Sequence, residues 1–386
     1  MHPHSHRRRA IVLSLVLCSL PAWVAAQQSS AEEVSAGRLR SEVTLGFRTV
    51  TVVSTPALRA DDPAHRMLLS TTNGSRGGSV RVGQFSTDAS ISIDAVEIEL
   101  DEPELRDEEL TVGRYDLWLA GTSDGWTLQV ADVQDSAATE PSDVLGTVRL
   151  AHTTAAVTSP TVLAGIVPTG SDGGRLILRW GSHEWTTELQ FSAPRVRARR
   201  RRESGVGDDR TFEFDSSELQ RASRLGRRNI ATVTLPDGPS LSVVYPKGLN
   251  VEDRDFAHLV SVATGAVVRV TAGAVIRLDI DVPLQFGDVT LETGNVGGLR
   301  GSPGAYGVWL KRAADGWRLV FNEEPDSWGT QHDPAFDVAE VDLEYSQADD
   351  SSRAMSASVV MTAADQGRFV LVWGPHEWTV DFAVAR

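Results

Sequence analysis

The sequence predicts an all-β protein built as two tandem β-sandwich or barrel-like domains. Three observations carry that expectation: short stretches rich in alternating or β-branched residues, dense Gly, Pro and Asp punctuation between them, and a set of tryptophan-bearing motifs that occurs twice. No helix of ordinary length is expected among them.

The chain has 386 residues, of which 41% are hydrophobic and 23% charged, with 37 Lys plus Arg, 52 Asp plus Glu, ten Trp and one Cys. Such a composition excludes a long disordered tail, a multi-span membrane protein and a disulfide-stapled miniprotein, and the length suits two domains. Residues 1–26 read as a secretory signal: Arg7, Arg8 and Arg9 precede an apolar run from Ala10 to Leu20, Pro21 ends it, and Val24, Ala25 and Ala26 precede Gln27. Cleavage is expected after Ala26, and the product is expected to be periplasmic or secreted. The apolar run is shorter than the roughly 20 residues of a spanning helix, and no later run approaches that length.

Loss of the signal removes the single Cys and three Arg, leaving 34 basic against 52 acidic side chains, a net charge of −18. Without a disulfide, the cores alone must hold the fold. Phosphate repulsion at this charge argues against nucleic-acid binding.

The first domain is expected over residues 35–194. Within it Ser90 to Leu100 alternates through Ile91 and Ile93, then shifts phase to Val96, Ile98 and Leu100, which suggests a bulge. Gly113, Tyr115, Leu117, Trp118 and Leu119, with Asp124, Gly125, Trp126 and Leu128, recur 191 residues later as Gly304, Tyr306, Val308, Trp309, Leu310, Asp315, Gly316, Trp317 and Leu319. Trp180, Gly181, His183, Glu184, Trp185 and Thr186 recur 193 residues later as Trp373, Gly374, His376, Glu377, Trp378 and Thr379. Matched blocks in one order indicate an internal duplication.

Between the copies, residues 195–228 form a basic and polar linker. Arg195 to Arg202 contains six Arg, a self-repelling run that reads as an exposed hinge or, alternatively, a contact for an anionic envelope polymer. Ser216 and Ser217 are placed to cap a short helix over Glu218 to Leu225. The second domain, 229–386, contains a β-branched stretch from Val267 to Leu291 and a hairpin, Tyr306 to Leu310 with Trp317 to Phe321. Tyr306, Val308 and Leu310 share one face of their arm, so Trp309, like Trp118, points to the other face.

At these residues the chain resembles DUF2911, a secreted bacterial domain of unknown function, in two copies of which the first is diverged. The resemblance rests on Gly304, Tyr306, Gly316, Trp317, Asn322, Trp328, Gly329 and Trp373; the first copy has Ala131, Ala137 and Ala138 where the second has Asn322, Trp328 and Gly329. The family's polar Asn-Glu pair, upstream of the hairpin, falls on Gly273 and Ala274 and on Phe85 and Ser86. The resemblance implies a strand-rich fold and no assigned activity.

Two sets of side chains invite a functional reading. Asn322, Trp328, His332, Asp333 and Asp337 crowd one loop of the second copy, where they either line a sugar site with the indole as a stacking surface, ligate a divalent cation, or serve only as turn residues over the core. His183–Glu184 and His376–Glu377 resemble acid/base pairs, but neighbours on a strand point to opposite faces, so each His is expected to be structural, bonded to backbone beside a Trp. Gly181–Ser182 and Gly374–Pro375 are read as bulges. The acidic run from Glu97 to Glu109 reads as a surface ridge.

No nucleophile elbow, phosphate loop or dinucleotide fingerprint is present, and no cofactor or metal is called for. The sequence favours a non-catalytic binding or envelope-associated module whose partner is an envelope polymer or glycan. The alternatives are an enzyme acting on an extracellular or envelope carbohydrate through His332, Asp333 and Asp337, and an oligomer joined through outward Trp118 and Trp309.

Overall fold

The computed structural model describes residues 38–46, 48–55, 58–70, 78–87, 90–93, 96–98, 113–134, 138–192, 228–271, 273–295, 303–348 and 353–385. The expected signal peptide, the Arg-rich run, the helix at 218–225 and the acidic ridge beyond Ile98 lie outside the described residues.

The first half contains β1 (Arg40–Leu45), β2 (Arg48–Ser54), α1 (Pro63–Ser70), β3 (Ser79–Thr87), β4 (Ser90–Ile93), β5 (Val96–Ile98), β6 (Gly113–Thr122), β7 (Gly125–Asp132), β8 (Val144–Pro168) and β9 (Gly173–Ser192). The second contains β10 (Arg228–Thr234), β11 (Ser240–Pro246), α2 (Arg254–Ser261), β12 (Ile276–Ile280), β13 (Leu284–Phe286), β14 (Val289–Leu291), β15 (Gly304–Arg312), β16 (Trp317–Asn322), β17 (Asp337–Gln347), β18 (Ser356–Met361), β19 (Gln366–Trp373) and β20 (His376–Val384). Every ladder is antiparallel, so the all-β expectation holds.

Each half has the same order. β2–β3–β6–β7–β8 in the first corresponds to β11–β12–β15–β16–β17 in the second, with β4–β5 and β9 matched by β13–β14 and β19–β20. β8 first pairs with β7 and then crosses to β9, and β17 does the same between β16 and β20, so one bent strand stitches the two layers of each half. Alternation explains the layering: in β10 and β11 every second residue is buried, putting Ala231, Val233, Leu241, Val243 and Tyr245 on one face.

Two local expectations are corrected. Ile91–Ile93 and Val96–Ile98 are the arms of a hairpin rather than one bulged strand. Gly374–Pro375 is the two-residue turn joining Trp373 to His376, with φ +58° at Gly374, a sign of φ that glycine adopts without a Cβ penalty. Two eight-residue helices, 191 residues apart, interrupt the strand succession; the Asp62-Pro63 and Asp253 starts and an amphipathic spacing that buries Leu68 and Leu259 are their sequence signals.

The halves are joined by more than the chain. β1 pairs with β10, so one ladder runs from β17 through β10 and β1 to β8. Ser41 and Ala231 are equivalent, since they face Val52 and Val243 within their own halves; in the joint Ser41 faces Val233 while Ala231 faces Val43. The contact is therefore reciprocal about the Glu42–Thr232 pair, as in a two-fold dimer interface. A second contact packs Val167 and Ile177 on Val360, Val370 and Val372. Gly165 permits this approach, because a Cβ there would stand 2.7 Å from Val360. The main core runs through both halves, and Gly37–Arg386 forms one compact unit, so the expectation of two bodies connected only by a linker is corrected in that respect.

Candidate functional site

The loop from Asn322 to Asp337 is built around a buried amide. The β16–β17 register shifts at Asn322, turning its side chain inward. Its Nδ2 donates to the Asp333 carbonyl at 2.9 Å and to Asp337 Oδ1 at 2.8 Å, while its Oδ1 accepts from the Glu324 N–H at 2.9 Å. His332 Nε2 lies 2.9 Å from the same Asp337 oxygen, and its ring meets the buried Trp309 edge-on at 4.9 Å. Asp333 accepts from Ala335 N–H and caps the 3-10 turn at Pro334–Phe336. Asn322, His332 and Asp337 are thus one network that latches the loop over the sheet.

Trp328 stands apart from that network. A bridge to Ala274, a bond from Gly329 N–H to the Gly273 carbonyl and one from Val270 N–H to the Gly329 carbonyl clamp its backbone. Gly329 allows the clamp, since a Cβ would come within 2.3 Å of the Val270 oxygen. The indole is 49% exposed, the one exposed tryptophan among the described residues. Beside it in sequence, Asp326 binds Arg277 Nη1 through both oxygens at 3.0 and 2.8 Å.

The repeated motif forms a second constellation, present once in each half. Trp126 meets Trp185 edge-on at 5.1 Å, as Trp317 meets Trp378 at 5.4 Å. His65 of α1 packs on Trp180 at 4.6 Å, as Phe256 of α2 packs on Trp373 at 5.7 Å. His152 Nε2 lies 3.0 Å from His183 Nδ1, and Tyr345 Oη lies 2.8 Å from His376 Nδ1. The motif imidazoles therefore bond to side chains across the ladder, a correction to the expected backbone bond. Glu184 and Glu377 point away and pair with Arg179 and Arg353. Desolvation pushes His152, His183 and His376 below the ordinary imidazole value; the charges of His152 and His65 add to the effect on His183, and Arg353 adds to that on His376.

The positions His65, Phe256, His152 and Tyr345 were not picked out from sequence. They are equivalent in pairs but differ in residue type, so only the 191- and 193-residue offsets mark them. Tyr115 and Tyr306 are buried in the hairpin, and Tyr306 Oη donates to the Glu292 carbonyl at 2.5 Å. Trp118 and Trp309 are also buried, 1% and 2% exposed, which overturns their role as an outward oligomer contact. On the Trp309 side, Val275, Val320 and Val267 form a small satellite core on the second sheet face, and the latched loop adds His332.

Among the described residues no group of three or more His, Asp or Glu side chains is arranged to hold a metal ion, and no helix is long and apolar enough to cross a membrane. The fold and the two constellations define a strand-rich, internally repeated protein with a clamped, half-exposed indole. Residues 233–382, from β10 to β20, match the family described as a protein of unknown function, DUF2911. No curated protein and no solved structure matches the chain.

Proposed function

We propose that the protein is an exported, non-catalytic binding module, that its first half is a diverged copy of the second, and that the Trp328 loop contacts a glycan of the envelope or extracellular space. The observation that carries this reading is the exposure of Trp328 where the other motif tryptophans are buried or, in the case of Trp317, partly buried. An indole left in water forgoes a favourable transfer, on the order of 25 cal/mol per Å² of apolar surface, and the clamped backbone removes the main-chain part of the ordering cost of presenting it to a ring. The N-terminal Arg7–Arg9 and Ala10–Leu20 pattern supports export. A glycan array probed with the full mature chain tests the reading. Trp328→Ala should abolish the signal while leaving the melting temperature within a degree or two; equal signals from both proteins would end the assignment to this loop.

One observation favours an enzyme instead. The His332–Asp337 pair at 2.9 Å orients an imidazole as a general base requires. On that reading, glycan cleavage by the wild type would vanish in His332→Gln, whereas the binding reading expects no cleavage by either.

A further inference from the structure

On the reading of the Trp328 loop as a glycan site, we infer that Asp326 is its specificity-determining residue and that the sugar it selects is neutral. The ring face lies on the indole, and neighbouring hydroxyls donate to the carboxylate. Asp326 and Trp328 are two residues apart, so their Cα atoms lie within roughly 7 Å of each other, close enough for one sugar ring to reach both side chains. Both residues are exposed while Ser327 between them is half-buried, its N–H bonded to the Glu324 carbonyl and its carbonyl to the Val275 N–H. As along a strand, that alternation leaves the carboxylate and the indole on the solvent side of one pinned segment.

The carboxylate is fixed without being used up. Arg277 Nη1 donates to its two oxygens at 3.0 and 2.8 Å, and the guanidinium is itself held through Nε by Asp279 at 2.9 and 3.0 Å. An ionised carboxylate offers about four lone-pair positions, so a single nitrogen leaves about two of them open. The Asp326 side chain is 70% exposed, and a ligand can reach them. Because Arg277 already serves as its counter-ion, Asp326 calls for hydrogen-bond donors rather than for a second cation. Residues 322–337 carry five carboxylates, Glu323, Glu324, Asp326, Asp333 and Asp337, and neither Lys nor Arg. A sugar acid brought to this loop meets like charge, whereas a neutral sugar brings hydroxyl donors to an open acceptor. The half-exposed indole supplies the apolar surface on which its ring stacks.

An array of neutral hexose, free-amine hexosamine and uronic-acid oligosaccharides, probed with the full mature chain, tests the inference. Neutral sugars should bind at least about tenfold more tightly than the uronic acids and the cationic hexosamines. Asp326→Ala should weaken neutral binding at least about tenfold, the usual consequence of losing a charged acceptor, and Asp326→Asn, which keeps one acceptor oxygen, should retain part of it. Both variants should keep the wild-type melting temperature within a degree or two, because an exposed ion pair contributes little to stability. Binding that needs Trp328 but is unchanged in Asp326→Ala would overturn the inference and leave the Trp328 reading standing. So would equal or tighter binding of the uronic acids or the hexosamines. Binding of no sugar, or binding that survives Trp328→Ala, would remove the Trp328 reading and the inference with it.

Discussion

The phenol oxygen of Tyr345 lies 2.8 Å from Nδ1 of His376, and 193 residues earlier His152 makes the same contact to Nδ1 of His183 at 3.0 Å. The two halves keep the bond and exchange the partner. A phenol partner stays neutral in acid; an imidazole partner does not. The first half thus sets His65 edge-on to His183 at 5.9 Å and stacks His152 on it at 5.2 Å, where the second has Phe256, Tyr345 and His376.

This difference sets an acid sensitivity. His152, His183 and His376 titrate below the ordinary imidazole value of about 6.5, so the unfolded chain binds more protons as pH falls. Their contribution to stability is present above about pH 6.5 and is lost as pH falls through their lower folded values. The melting temperature should drop from pH 6.5 towards 5, and His152→Tyr, which copies the second half, should flatten that slope. An unchanged slope in the variant would remove His152 as its source.

Gly181 and Gly374 combine φ values of +63° and +58° with ring neighbours, since a Cβ would come within 2.9 Å of His65 and 2.8 Å of Phe256. Gly374→Ala should destabilise by about 2–4 kcal/mol, from left-handed strain plus displacement of the helix ring. Gly316→Ala, with open space around it, should stay within about 0.5 kcal/mol. Urea midpoints of both variants decide the matter.

Removal of the Asn322 amide leaves the Glu324 N–H, the Asp333 carbonyl and Asp337 short of partners. Asn322→Ala should cost about 2–4 kcal/mol, and amide hydrogen exchange should quicken first between residues 323 and 336. Uniform quickening across the fold would show that the latch is not local.

The β1–β10 joint should make the halves unfold together. Thr232→Pro deletes an N–H in a strand paired on both sides and sets a ring against the ladder. Calorimetry should show one transition for the wild type and two for the variant. A single transition at the wild-type temperature would mean the joint contributes little coupling.

Much of the layering was legible because period-two burial and turn residues are local properties. Tyr306, Val308 and Leu310 do line one face of β15, and the Trp-Gly-x-His-Glu-Trp block does recur in equivalent settings. Other features were hidden. Trp309 leaves the main face as its phase requires, yet it is buried, because a satellite core of Val267, Val275 and Val320 surrounds it. Of the five loop residues considered together, Asn322, His332 and Asp337 converge on one network, Asp333 caps a turn beside it, and Trp328 faces outward; composition alone cannot separate those fates.

By itself, the amino-acid order determined that this chain is strand-rich and that its aromatic motifs come in two sets, because each depends on patterns legible along the chain. Only the tertiary structure decided that β1 closes on β10, that the motif histidines bond across the ladder to His152 and Tyr345, and that a polar cleft lies where the halves meet. Those contacts join residues brought together by packing, and burial, hydrogen-bond partner and local charge are set by that packing rather than by spacing along the chain.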